Sequence, residues 1–289
     1  MHPAPSVIVF SVLSGVGFGL LFFLGFGFVH PSGIIAFLWW GLGYSLAVIG
    51  LLASTFHLGN PKRAWRAFSQ WRTSWLSREA WASVAALLLL APMALSDWLG
   101  LGVPRPFGWL GGALALLTVF TTSMIYAQIK AVPRWHHWLT PVMFLSFALA
   151  GGAVLAGQSF AAVLLAALAA VLLAIWQLGD GQFARRAQTL GTATGLDRIG
   201  EVTVFEQAHT AGNYMLREMI FVVGRKHAQK LRAIALALAA VIPAGLLAIS
   251  GEVWVFALAA TCHLIGALAA RWLFFAQAEH VVGLFYGKR

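Results

Sequence analysis

Charged residues are scarce in this sequence of 289 residues: Asp, Glu, Lys and Arg make up 10% of it, whereas 60% is hydrophobic. A soluble domain of average composition has about 25% charged residues. The chain therefore has too little polar surface to cover a water-soluble globule, and its apolar residues must face lipid. The scarcity of charge excludes a soluble enzyme and indicates a polytopic membrane protein.

Cysteine is almost absent as well, since Cys262 is the only one and lies inside an apolar run. No disulfide can form within the chain, and one thiolate cannot hold an iron–sulfur cluster. The N-terminus lacks the basic region and the small-residue cleavage site of a signal peptide, so the first apolar block is expected to be a retained helix. By itself the chain is therefore not expected to carry a redox centre of the soluble kind.

The apolar residues form long runs separated by short polar connections. A bilayer core about 30 Å thick needs about 20 apolar residues per helix, and a helix satisfies its backbone polar groups internally. The sequence therefore predicts an all-α bundle of eight transmembrane helices that forms a single integral membrane domain over residues 1–289. The predicted spans are 6–28, 33–56, 80–99, 108–129, 140–157, 160–179, 231–249 and 252–275.

Basic residues are confined to one set of the connections between these spans. Lys and Arg cluster in 57–79, 130–139 and 180–232 and near the C-terminus, where Arg271 is counted, whereas the opposite connections offer only Arg105. By the positive-inside rule, the basic connections and both termini are predicted to lie in the cytoplasm. This pattern accounts for the net charge of +10 without nucleic acid as a partner.

Residues 180–230 form the one long polar stretch, between the sixth and seventh spans. Because long loops without a function are uncommon, we predict a cytoplasmic polar insert that docks a partner subunit; the alternative is a solvated connector. Its part 212–229 has the composition of an amphipathic helix at the membrane surface. The candidate docking residues on the basic connections are Lys62, Arg66, Arg72, Arg134, Tyr214 and Arg217.

A histidine and a carboxylate flank the first basic connection. His57 ends the second predicted span, and Glu79 opens the third on the same side of the membrane. Histidine exchanges protons near physiological pH, and a carboxyl group can transfer a second proton, so the pair suits a quinone-binding site. The alternative is structural, with His57 as an interfacial anchor and Glu79 as a helix N-terminal residue favoured by the helix dipole.

A second cluster, residues 126–141, lies at the same surface. Two residues of this cluster, Tyr126 and Trp138, are added to the candidate quinone site. The alternative is that the tryptophans belong only to the aromatic belt at the membrane interface.

His263 is the only histidine well inside a predicted span, where an ionisable residue is a functional candidate. Haem iron is commonly held by histidine, often by a pair. His137 is the candidate second ligand, and it would reach His263 only if a helix shift carried it inward. No other metal site is predicted, and haem b is retained as an alternative that is not favoured.

Three short motifs stand at the basic connections. They are His57-Leu58-Gly59-Asn60-Pro61-Lys62-Arg63-Ala64, Leu76-Ser77-Arg78-Glu79, and Val132-Pro133-Arg134-Trp135 with Trp138-Leu139-Thr140-Pro141. They resemble the DmsC-type membrane anchor subunits of the dimethyl sulfoxide reductase group of molybdoenzymes. Within that family the sequence is most similar to the anchors of cytoplasm-facing, membrane-bound sulfite dehydrogenases (Soe type), through its first eight residues and through 209–219 and 225–228.

The resemblance implies a three-subunit complex in which a molybdopterin catalytic subunit and an iron–sulfur electron-transfer subunit join this anchor. It also implies that a quinone, ubiquinone or menaquinone, exchanges at the positions of His57 and Glu79, with Arg63 nearby. Reductase anchors of this family have their histidine on the periplasmic face, whereas here it falls in the most basic connection. This departure favours partners on the cytoplasmic side of the bacterial inner membrane, and electron flow from sulfite to quinone.

Two other functions stay open from the sequence. One is a quinol-oxidising anchor of a DMSO- or polysulfide-type reductase, because quinone and quinol use the same pocket. The other is a stand-alone membrane transporter, against which the few charges within the spans and the lack of an inverted repeat both count.

Overall fold

A computed structural model describes residues 1–206, 212–220 and 227–287, without the side chain of His57. The described part of the chain is helical and contains no strand. In chain order the helices are α1 Pro5–Phe26, α2 Gly33–Ala53, α3 Trp75–Leu99, α4 Arg105–Ala127, α5 Leu139–Leu155, α6 Ala161–Asp180, α7 Gln182–Arg185, α8 Leu190–Thr194, α9 Tyr214–Met219, α10 Ala228–Ile249, α11 Val253–Ala276 and α12 Val282–Phe285. Short 3-10 helices span Ser54–His57, Pro61–Phe68 and Leu196–Arg198.

The prediction of an all-helical membrane protein is confirmed. Among the described residues, seven helices are long and apolar enough to cross a membrane, namely α1, α2, α3, α4, α6, α10 and α11. The remaining predicted span, 140–157, corresponds to α5, which is apolar but has only 17 residues.

Hydrogen bonds define the two ends of the bundle. One end carries the connections rich in Lys and Arg, 57–79, 130–139 and 180–232, and is called the basic end. There the N-terminal ammonium of Met1 donates to Ala278 O over 2.8 Å, and Val281 N donates to Ala131 O over 2.9 Å. At the opposite end, Gln158 Nε2 donates to Phe28 O over 3.3 Å. The N-terminus, the α4–α5 connection and the residues after α11 therefore meet at one end, whereas the α1–α2 and α5–α6 connections meet at the other.

α1 is the central helix, and most of its residues are buried against α2, α4 and α5. Glycines let these neighbours approach closely, because a side chain at Gly19 would collide with the carbonyl oxygen of Ala148 on α5. A side chain at Gly17 would likewise collide with the backbone of Ala47 on α2. These glycines of α1 therefore allow close contact between the helices.

α3 begins five residues earlier than the third predicted span, so Glu79 lies inside the helix rather than at its start. The first turn, Trp75–Arg78, combines two apolar and two polar residues, so it falls outside the continuous apolar run on which the predicted span was based. Ser74 is the N-cap residue, and its carbonyl oxygen accepts from Arg78 N over 3.2 Å. The Arg78 guanidinium donates to the carbonyl oxygens of Trp71 and Arg72 over 3.0 and 2.7 Å, which ties the connection to the helix.

Candidate functional site

Glu79 lies in the second turn of α3 and is buried, with 4% of the residue exposed. The Thr122 hydroxyl of α4 lies 2.5 Å from Glu79 Oε1 and 2.9 Å from the carbonyl oxygen of Thr118. A hydroxyl donates one proton and also accepts, so Thr122 suits both protonation states of Glu79. It donates to the ionised carboxylate, or it accepts from the protonated carboxyl while donating to Thr118 O.

Tyr126 follows Thr122 by one turn of α4 and is also buried. Its ring lies 5.4 to 5.7 Å, between centroids, from four other rings, those of Trp135, Phe144, Phe274 and Phe275. Its phenol lies within electrostatic reach of both Glu79 and Arg271. Tyr126 therefore links the buried carboxylate to a buried cation inside an aromatic cluster.

Arg271 is buried in α11, with 3% of the residue exposed. The prediction that counted it among C-terminal surface cations is wrong, because α11 continues past it to Ala276. Its guanidinium carbon lies 3.7 Å from the centroid of the Phe144 ring, and Nε and Nη1 have no hydrogen-bond partner among the described residues. The sequence did indicate that Arg271 is buried, because it lies inside the predicted span 252–275, where a charge is costly.

The other predicted quinone-site residues belong to the connections at the basic end. His57 ends the 3-10 helix Ser54–His57, and its side chain lies outside the described residues. Arg63 is exposed, and Trp138, directly before α5, is 67% exposed. The structure thus gathers Glu79 and Tyr126 into one buried cluster and leaves Arg63 and Trp138 at the surface.

An apolar groove of about 470 Å³ runs along the outer side of the α3–α4 pair. Its lining residues are Phe68, Trp71, Arg78, Trp81, Ala82, Ala85, Leu114 and Leu117. Its rim at the basic end is fixed by a hydrogen bond from Trp81 Nε1 to Phe68 O over 3.0 Å. Arg78, the residue before Glu79, lines the groove, but the buried Glu79 does not. The groove continues deeper along both helices, so it has the shape and polarity to take a hydrocarbon chain.

His263 is buried in α11, and its role in the structure follows from Pro243 in α10. Pro243 has no N–H to donate to the carbonyl oxygen of Ala239, four residues earlier. α10 forms a π-turn over Ala237–Val241 at this point, and His263 Nδ1 lies 2.7 Å from Ala239 O. His263 supplies a donor to this carbonyl, which assigns the Nδ1–H tautomer and gives the histidine a structural task.

The two candidate haem ligands are not brought together. The His263 ring packs against Phe147, with centroids 5.9 Å apart, and a side-chain carbon at Gly151 would lie 2.8 Å from His263 Nε2. Phe147 lies eight residues into α5, about 12 Å of helical rise from its start, whereas His137 precedes α5. Close packing at Nε2 leaves no open position for an iron ion.

His137 has its own local partner at the basic end. Burial lowers the pKa of His137, and the nearby guanidinium groups of Arg185 and Arg186 lower it further. The neutral ring accepts from the backbone N–H of Leu139 at Nδ1 over 3.1 Å, which caps the start of α5. In the part of the chain that the structure describes, no group of three or more His, Cys, Asp or Glu is placed to hold a metal ion.

The predicted docking residues fall into two groups. Lys62, Arg66 and Arg72 are exposed on the connection between α2 and α3. Arg134 instead points inward, with 14% of its side chain exposed, and donates to Asp180 Oδ1 over 2.7 Å. Arg134 therefore joins the α4–α5 connection to the end of α6 and offers little surface to a partner.

Tyr214 and Arg217 are exposed on α9, which is held against the basic end. Asn213 caps α9 by accepting from Leu216 N over 2.9 Å and also donates to Tyr286 Oη over 3.0 Å. The predicted amphipathic helix over 212–229 is described only as α9 and as the start of α10, since residues 221–226 lie outside the described residues. Positions 209–211, 225 and 226 of the motifs quoted above also lie outside the described residues.

Comparison with known proteins decides the family. The model of the DMSO reductase anchor subunit (DmsC) family matches residues 1–287. The chain belongs to this family. It is 30% identical to a sulfite dehydrogenase subunit of Allochromatium vinosum, over 99% of each chain. It is also 30% identical to anaerobic dimethyl sulfoxide reductase chain YnfH of Escherichia coli, over 52% of this chain and 55% of that one.

Proposed function

We propose that this DmsC-family chain is the quinone-binding membrane anchor of a three-subunit molybdopterin oxidoreductase that passes electrons from sulfite to the quinone pool. The full-length similarity to a sulfite dehydrogenase subunit supports the substrate. The observation that carries the quinone site is Glu79, the only fully buried carboxylate among the described residues, which lies one turn inside the basic end.

Reduction of a quinone to a quinol takes up two electrons and two protons. The molybdopterin and iron–sulfur centres of the proposed partner subunits would supply the electrons. Glu79 delivers one proton, and the Thr122 hydroxyl reverses its hydrogen bond as the carboxyl group loses and regains that proton. His57, which ends the 3-10 helix Ser54–His57 at the same end, is assigned the second proton exchange.

The quinone enters from the membrane along the α3–α4 groove. The apolar walls of Leu114, Leu117 and Ala85 hold the isoprenoid tail, and the head group lies at the basic end near Arg78, the residue before Glu79. Arg63, Tyr126 and Trp138 are the remaining residues assigned to this site. Tyr126 acts from inside the cluster, and the two surface residues act at the entrance.

The basic end faces the cytoplasm, by the excess of Lys and Arg on its connections. Eight helices cross the bacterial inner membrane, α5 included. The 17 residues of α5 span about 26 Å of helical rise. At the basic end, Thr140 near the start of α5 donates a hydrogen bond to Trp135 O, and at the opposite end Gln158, just after α5, donates to Phe28 O. Because α5 packs between α1, α4, α6 and α11, its short ends need not face lipid.

The partner subunits dock on the cytoplasmic surface. Lys62, Arg66 and Arg72 give this surface its exposed positive charge, and α9 presents Tyr214 and Arg217 beside it. The polar insert 180–230 carries α9, and its attachment to the residues after α11 prepares a surface for the iron–sulfur subunit.

Replacing His57 with alanine tests the assigned site in the complete complex. Quinone-linked turnover is expected to fall by about 100-fold, within the range for a lost acid–base group, while activity with a soluble electron-accepting dye is kept. His227→Ala, at another histidine of the basic end, is the control and should leave both activities unchanged. Native quinone-linked turnover in the His57 variant would show that the assignment is wrong.

A second function has the support of the similarity to the dimethyl sulfoxide reductase chain. In that case the same site oxidises quinol, and Glu79 accepts the proton it would otherwise donate. Midpoint potentials of the native quinone and of the partner's substrate separate the two directions.

A further inference from the structure

A second groove lies on the outside of the bundle, between the basic-end parts of α6 and α10. It has a volume of about 390 Å³ and opens toward the surroundings of the protein. Its lining residues are Leu173, Trp176, Gln177, Asp180, Gln229, Arg232, Ala233 and Leu236. None of these residues belongs to the α3–α4 site.

The polarity of this groove changes along the helix axes. α6 ends at Asp180 and α10 begins at Ala228, so Asp180 and Gln229 lie at the level of the membrane surface. Leu173 lies seven residues deeper on α6, about 10 Å of helical rise, and Leu236 lies a similar distance into α10. A groove that is polar at the surface and apolar below fits an amphiphile that stands along the membrane normal.

Two guanidinium groups share one carboxylate at the polar end. Arg232 donates to Asp180 Oδ2 over 2.7 Å and to Oδ1 over 2.5 Å, and Arg134 donates to the same Oδ1 over 2.7 Å. Glu279 also lies within electrostatic reach of Arg134. The side chain of Arg232 lines the groove and is only 10% exposed, so its guanidinium is fixed in place there.

We propose that this groove binds one phospholipid, with its phosphate at Arg232, Gln177 and Gln229 and an acyl chain along Leu173, Trp176 and Leu236. The Arg232 guanidinium attracts the phosphate, and the two amide groups add hydrogen-bond donors. The Trp176 indole lies where aromatic side chains favour the boundary between head groups and chains. The bound lipid fills the gap between α6 and α10 directly beside the segment that leaves α6.

A bulky residue in the groove tests the proposal. Ala233→Phe fills the groove, whereas Ile234→Phe adds the same ring one position along α10, where the side chain is already 41% exposed and does not line the groove. The complex is purified in mild detergent and washed, and its retained phospholipid and quinone are measured by mass spectrometry. The Ala233→Phe complex is expected to retain roughly tenfold less phospholipid than the native complex, because the ring clashes with the lipid. The Ile234→Phe complex is expected to retain as much phospholipid as the native complex.

A second variant covers the case in which Ala233→Phe fails to assemble. Gln177→Leu with Gln229→Leu keeps the groove open and removes the head-group donors, so phospholipid retention is expected to fall as well. Adding phosphatidylglycerol in mixed micelles should raise the melting temperature of the native complex and not that of the double variant. Unchanged phospholipid in both variants, or loss of quinone in place of phospholipid, overturns the proposal.

Discussion

Replacing Glu79 with glutamine is expected to lower quinone-linked turnover of the assembled complex by about 100-fold or more, the range for loss of a general acid–base group. Glutamine keeps the size of the side chain and can still bond to Thr122, but it cannot give up or take on a proton. Soluble dyes take electrons from the partner subunits without using this site, so dye-linked activity should stay native. Steady-state assays with a water-soluble quinone analogue and with a dye measure the two activities side by side.

Glu252→Gln is the matched control, because Glu252 is exposed at the opposite end of the bundle, at the start of α11. It is expected to leave both activities unchanged. A Glu79→Gln complex with native quinone-linked turnover would remove Glu79 from the proton path. Parallel loss of both activities would instead indicate a failure of assembly.

Replacing Asp180 with asparagine is expected to have the largest effect on stability. Asp180 is the shared acceptor for Arg134 and Arg232, whose side chains are 14% and 10% exposed. Removing one partner of a buried ion pair costs about 3–5 kcal/mol. Because the Asp180 side chain is 47% exposed, we expect about 2–3 kcal/mol here. Thermal unfolding of the purified complex in detergent measures the loss.

Burial lowers the pKa of the Arg134 guanidinium, and its hydrogen bond to Asp180 opposes that change. Without the carboxylate, the α4–α5 connection and the start of α10 lose their common attachment to the end of α6. Asp197→Asn, at an exposed carboxylate of the polar insert, is the control and should leave the melting temperature unchanged. An Asp180→Asn complex as stable as the native one would contradict a stabilising role for this network.

The long helices could be predicted from the sequence because apolar runs of this length leave a chain few alternatives in lipid. The error at the start of α3 has a physical cause. Its first turn mixes apolar with polar residues and bonds to the preceding connection, so the continuous apolar run began late and placed Glu79 at a helix end. Only the structure puts Glu79 against Thr122, since nothing in the sequence relates positions on two antiparallel helices.

Buried charge was the weakest part of the sequence-based account. Arg271 was counted as a surface cation and Arg134 as a docking residue, although one lies over the Phe144 ring and the other bonds to Asp180. Their partners are distant in sequence, so no local pattern reveals them. His263 shows the opposite case, because its position inside a span attracted a haem hypothesis, while Pro243 on the neighbouring helix gives it a structural partner.

The metal content of the complex, purified through a tag on this chain in mild detergent, tests the central claim most directly. The account predicts molybdenum near one atom per chain, together with a large excess of iron from the clusters of the electron-transfer subunit. Iron near one atom per chain without molybdenum would identify a haem subunit instead. A well-behaved preparation with neither metal nor partner chains would contradict the anchor assignment.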